Sequence, residues 1–219
     1  MSAAQDPTEP FDLVDAEGNP TGAVKPRAEV HRDGDWHRAL HLWVVIWDGD
    51  TPRIVLQRRG SLKDTNPGLV DVSVGGHLRA GESMSDALRE SEEEIGLAVA
   101  PDEVERIGTR YCEKSGEGWV DREVQWVYAA HADVDFASLR PNADEVDALY
   151  APTLDDAFDL ELGLLPSIEA PALLPGRPVE RATLTLADFV PDPAGYRRAS
   201  LATLSVWCAG APWSPFVLR

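Results

Sequence analysis

Glu90, Glu93 and Glu94 are spaced so that, on a helix, their carboxylates fall within an arc of roughly 100°, while Met84, Leu88, Ser91 and Ile95 form a separate narrow stripe. The stripe is expected to pack and the carboxylates to face outward. Neighbouring carboxylates repel one another unless a cation sits among them. Clustered hard oxygen donors that share a diphosphate are the usual means by which proteins hold Mg²⁺ or Mn²⁺. The bland alternative is a solvated amphipathic helix. The order of the flanking residues weighs against it: a Gly75-Gly76-His77 loop, Gly81 in the following turn, Glu82, the Arg89-Glu90 pair, and Gly96 as a helix stop.

In that order these residues resemble the Nudix box, which runs from Gly76 through Glu82 and Arg89-Glu90 to Glu93-Glu94, Gly96 and the aliphatic Leu97. The resemblance implies an α/β Nudix fold, a mixed β-sheet sandwiched between α-helices, and hydrolysis of a diphosphate linkage. It also implies metal held by Glu90, Glu93 and Glu94 together with Gly76, with Arg89 orienting Glu93. The metal would polarise phosphoryl oxygens and acidify an attacking water. Two departures stand out. Six residues, not the family's seven, separate Glu82 from Arg89, which makes Glu82 the least secure ligand. Ser91 occupies a position the family gives to an aliphatic residue, which points to close packing by a small side chain.

The flanks, Phe11 to Asp15, Lys25 to His31 and Gln57-Arg58-Arg59 with Lys63 to Gly68, are similar to the Nudix branch related to isopentenyl-diphosphate isomerase. In the isomerases a reactive Cys precedes the Gly-His of the loop; here Gly75 stands there, with no proton to give to an allylic carbon, which favours a hydrolase. Several His residues bind metal in the isomerases. His31 and His37 lie near the matching segments, but their spacing does not support transferring that role. His77 is a candidate for a substrate phosphate or a metal, against the reading of an ordinary loop histidine, and His41, in a strand, reads as structural. Arg58, Arg59 and Lys63 are either receptors for the outer phosphate or surface partners of nearby acids, with Arg58 and Arg59 on opposite faces if the strand continues that far. The general base is open between Glu94, Glu145 and Glu123, the last being the first choice outside the box. A Nudix domain that senses a nucleotide without cleaving it is the second reading, and isomerase-like chemistry a more remote one.

These residues need a scaffold, and the composition supplies one: 219 residues, 43% hydrophobic and 26% charged, suffice for one main core. The net charge of −18 argues against nucleic-acid polymers and anionic membranes, leaving a small diphosphate-containing substrate as partner. The first residues lack a signal pattern, so the cytoplasm is expected. Cys112 and Cys208 read as buried thiols. The patterning predicts a hairpin over Phe11–Val14 and Thr21–Val24. Strands are expected over Leu40–Trp47, Ile54–Gln57, Leu69–Val74 and Glu123–Ala130, and helices over the box and Leu154–Leu162. Residues 1–10 read as a flexible N-terminus, 11–164 as the Nudix hydrolase domain, and 165–219 as a Pro-rich linker with a C-terminal helical extension over Gly195–Cys208, docking on the domain or on a second subunit as a homodimer.

Overall fold

The computed structural model describes residues 6–63 and 65–219; the start of the chain read as flexible (1–5) and Asp64 lie outside the described residues. In chain order β1 (Pro10–Val14) and β2 (Pro20–Pro26) form a hairpin, followed by α1 (Arg27–Asp33), β3 (Trp36–Asp48), β4 (Thr51–Arg59), β5 (Val70–Asp71) and β6 (Val74–His77). The box supplies α2 (Met84–Ala87) and α3 (Arg89–Ile95). Next come β7 (Val104–Gly116), β8 (Trp119–Ala132), β9 (Val146–Tyr150) and α4 (Leu154–Glu161), then β10 (Ile168–Leu173), β11 (Glu180–Leu184), α5 (Tyr196–Cys208) and β12 (Phe216–Leu218). The main path of the mixed sheet runs β11-β10-β9-β4-β3-β8-β7-β12, with β3 and β8 parallel.

Successive side chains of a strand point to opposite faces, and β3 is apolar on both. Trp43 and Val45 join one core with α4 and α5; Leu40, Leu42, Val44 and Ile46 join the other with Leu88 and Ile95 of the box. Helices therefore cover both faces, as expected.

Two expectations are corrected and one choice is resolved. The single strand over Leu69–Val74 is two short ones: β5 pairs with β4 and β6 with β3. The chain fills the fork where β3 and β4 part, and buried Ser73 stitches it, accepting from Val44 N at 2.7 Å and donating to Val55 O. The Pro-rich segment is not merely a linker. Ile168, Ala170 and Ala172 alternate into the core, and β10 pairs with both β11 and β9; a small-residue strand containing Pro171 gives a weak periodic signal. Finally, α5 docks on its own chain: Leu201 and Leu204 are 2% and 0% exposed, and burying each contributes roughly 1.5–3 kcal/mol. Of the two dockings expected for the extension, this is the one on the domain. At the amino-terminal end, Glu9, placed in the flexible stretch, is tied down by Arg79 Nε at 2.5 Å.

Candidate active site

Gly75 and Gly76 of β6 lie opposite His41 and Leu40 of β3, and this side-chain-free stretch lets the face of α3 approach. A Cβ on Gly76 would come within 2.8 Å of Glu90 Cγ and Cδ. The outward-facing expectation for the box carboxylates is therefore corrected. Glu94 is 1% exposed; its Oε2 accepts from Gln57 Nε2 at 2.9 Å and from Gly75 N at 3.3 Å. The Glu90 side chain is 13% exposed and only that of Glu93, at 49%, meets solvent freely. Burial, helped by the charge of Glu94, pushes Glu90 up to about 8, and burial also raises Glu94 although Lys63 and Gln57 oppose it.

Arg89 reaches Glu90 at 2.8 Å, Glu82 at 3.0 Å and Glu93 at 3.6 Å, so it braces more than the one carboxylate assigned to it. Glu82 also accepts from Arg79 N at 2.8 Å, so it is tied into the loop. Gly96 stops α3 in the left-handed conformation, φ +69°, with Leu97 N returning to Ser91 O. Carboxylates this buried need a cation beside them. Lys63 Nζ supplies one, 3.2 Å from Glu94 and 2.7 Å from Glu145. The oxygen-only donor set fits a hard divalent ion, which Glu90, Glu93, Glu94 and the Gly76 backbone would hold.

A second donor set was not read from the sequence. One ligand atom each from His31, His37, His77 and Asp121 lie within 4.8 Å of one another. His31 Nε2, His37 Nε2 and Asp121 Oδ1 are buried without hydrogen-bond partners, the His31 and His37 nitrogens standing 3.7 and 3.5 Å from Asp121. Burial lowers all three imidazoles, His31 to about 4 and His77 to about 3, and keeps their lone pairs available. Nitrogen-rich donors suit a transition metal better than Mg²⁺. The signal was the alternation Asp121-x-Glu123, which puts both acids on one strand face, with His37 opposite Glu123 across the parallel pair. Glu123, despite its burial, is held well below the usual carboxylate range by His77, whose Nε2 is 2.8 Å away, and its other oxygen accepts from Gln125 at 2.5 Å.

Two adjoining cavities share Gly75, Gly76, His77 and Arg59. The smaller, about 90 Å³, holds Glu90, Glu93, Glu94, Lys63 and Glu145; the larger, about 280 Å³, holds Glu123, Asp121 and His31. Arg59 and Lys63 thus belong to the site. Arg58 does not: it turns to the opposite face, bonding Tyr150 Oη and Gly68 O, both at 2.7 Å, because alternate strand residues point apart. His41, assigned a structural role, borders the larger cavity and hydrogen-bonds the Tyr196 hydroxyl at 2.9 Å. Both cysteines are free thiols. Among the described residues no helix is long and apolar enough to cross a membrane.

Comparison with known proteins agrees with this geometry. The chain is 32% identical over 198 residues to a Nudix hydrolase of Clostridium acetobutylicum, covering 89% of this chain and 96% of that one. It is 34% identical over 140 residues to the isopentenyl-diphosphate Delta-isomerase of Escherichia coli, covering 64% and 74% respectively. A solved structure from Deinococcus radiodurans shares the fold, with a TM-score of 0.51 at 21% identity over 71% of this chain and 90% of that one. The NUDIX domain matches residues 37–170, and with the box carboxylates gathered against Gly75-Gly76 the chain belongs to the Nudix family and is a Nudix hydrolase.

Proposed function

We propose that the protein is a Mg²⁺- or Mn²⁺-dependent hydrolase of the diphosphate linkage in a nucleoside diphosphate derivative or related small diphosphate. The observation that carries this reading is the gathering of half-buried Glu90 and buried Glu94 with Lys63 and Arg59 around one cavity. Anionic donors for a cation and cationic donors for phosphate oxygens line the same space. A divalent ion there supplies charge neutralisation and activates water. Lys63 and Arg59 receive the outer phosphate, and Gln57 and Gly75 N fix the direction of Glu94. Arg89 braces Glu90 and Glu93 from behind. Glu123, ionised and oriented by His77, is the base outside the box, and Glu145 the competitor. The imidazole-rich set at His31, His37, His77 and Asp121, three of which line the larger cavity, would hold a second metal.

The test is formation of phosphate-monoester products, and of free phosphate where the terminal phosphoryl is unsubstituted, across nucleoside diphosphate and triphosphate derivatives and isopentenyl diphosphate, for wild type and Glu94→Gln. The ionised form of a buried carboxylate with raised proton affinity works against the fold, so Gln should hold or raise the melting temperature while lowering kcat by about a hundredfold or more. Tight binding of a diphosphate with no product from any compound would favour the sensor instead. An allylic isomer formed from isopentenyl diphosphate would overturn the assignment of Gly75 as a site without a proton donor.

A further inference from the structure

Arg110 and Lys114 line the larger cavity and are not used by the diphosphate chemistry. Arg110 and Lys114 stand four residues apart on β7, hence on one face of the strand, and both line this cavity. Both are half-buried. Among the described residues, Lys114 has no hydrogen bond or ion pair. Arg110 bonds only the neutral Gln125 oxygen, at 3.3 Å, and lies over the Tyr196 ring at 4.5 Å. The carboxylates of the same cavity face other partners: Asp71 faces Arg59 at 3.4 Å, Glu123 faces His77, and Asp121 faces the histidine pair. In a chain of net charge −18, where acids outnumber bases 38 to 20, two partly buried cations with no carboxylate in contact stand out, although the charge of Lys114 acts at longer range on Asp71, Asp121 and Glu123. No carboxylate contacts either one, so each keeps hydrogen-bonding capacity that an incoming anion would fill. The remaining lining also disfavours an apolar occupant, since Ala39, Trp119 and Val190 are its only apolar side chains.

We propose that Arg110 and Lys114 form a second anion receptor, so that the preferred substrates are diphosphates whose organic half carries a further negative group, a phosphate ester or a carboxylate. This rests on the hydrolase reading, in which the diphosphate occupies the adjoining smaller cavity. The extra anion then lies on the far side of Gly75-Gly76 from the box carboxylates. Its role is selection, because it lies apart from the scissile linkage and from the box carboxylates of the smaller cavity.

The experiment uses matched pairs: NADH against NADPH, differing by one ribose phosphate, and UDP-glucose against UDP-glucuronate, differing by one carboxylate. Dissociation constants are measured by calorimetry with Ca²⁺ replacing Mg²⁺, so that binding is read without turnover. Wild type should prefer the more anionic member of at least one pair by about tenfold or more, the effect of a charge-assisted contact. The pair that responds distinguishes phosphate ester from carboxylate. In Lys114→Gln that preference should collapse toward one, with the melting temperature changed little because the Lys114 side chain has no hydrogen bond or ion-pair contact to lose. Arg110→Gln should act in the same direction. Absence of preference in both wild-type pairs, or equal weakening of both members in the variants, would overturn the proposal. Failure of the hydrolase reading shows separately, as absence of product with Mg²⁺ while the binding ratios still report on the receptor.

Discussion

Replacing Gly76 by Ala tests the site through a single methyl group. The new Cβ would stand 2.8 Å from Glu90 Cγ and Cδ, where ordinary contact begins at 3.4 Å, so the Glu90 side chain must retreat by at least about 0.6 Å. It cannot do so freely, because Arg89 holds its Oε1 at 2.8 Å and the side chain is only 13% exposed. Metal–ligand distances tolerate about 0.2 Å, and loss of ligand orientation typically costs 10- to 100-fold in metal affinity, or about 1.4–2.7 kcal/mol. The fold should lose little, since Ala in a strand is favoured over Gly by roughly 0.5–1 kcal/mol before the clash is counted. Gly75→Ala is the internal control: its Cβ would meet Val72 and His41 no closer than 3.7 Å. The assay is a Mg²⁺ titration of phosphate release and of binding heat, beside a thermal melt. Gly76→Ala should need 10- to 100-fold more Mg²⁺ while melting near wild type, and Gly75→Ala should change neither. Wild-type Mg²⁺ affinity in Gly76→Ala would remove Glu90 from the metal site, and equal weakening in both variants would refute the steric argument.

Two further predictions concern stability. Burial lowers His41 from 6.5 to about 4, so the unfolded chain takes up a proton that the folded one resists; stability is complete above pH 6.5 and falls as pH drops toward 4, by no more than about 3 kcal/mol because the ring borders a cavity. Denaturant titrations should show a shallower loss over that range in His41→Gln, and identical slopes would refute this. The second is a double-mutant cycle of Ser91→Val with one Ala inserted between Ala87 and Leu88. Each change alone should cost about 1–3 kcal/mol and the pair together at least 1 kcal/mol less than the sum, so additivity would dismiss the coupling.

Where the chemistry was local, the sequence was legible. The spacing of Glu90, Glu93 and Glu94, the stop at Gly96 and the central strands follow from one-dimensional periodicity, and all are in the structure. What was not legible depends on elements distant in sequence. His31 on α1, His37 on β3, His77 on β6 and Asp121 on β8 converge only when β3 pairs in parallel with β8, a crossover no local pattern encodes. The inward turn of Glu94 needed Gln57 and Lys63, and the sorting of Arg59 into the site and Arg58 out of it needed the exact end of β4. The β10–β11 hairpin was hidden by small residues and Pro171.

The two departures from the family pattern have a common physical origin. The helix is interrupted at Leu88, between α2 and α3, where the chain tightens: Ser91 N bonds the Leu88 carbonyl, three residues back, at 3.0 Å. Three-residue closure advances the chain faster per turn than the α-helix, so one residue fewer suffices to join the loop to α3. Its hydrogen bonds are poorer, and the Leu88 carbonyl has capacity to accept again. The Ser91 hydroxyl fills that capacity at 2.7 Å from a fully buried position, where an aliphatic side chain could not. The break lies before Glu90, so the register among Glu90, Glu93 and Glu94 is untouched, and the capping box of Ser83 with Asp86 secures the short α2 on its own. The shortened junction and the serine therefore compensate each other, and the acidic face proposed to hold the metal is preserved because both adjustments lie at or behind it.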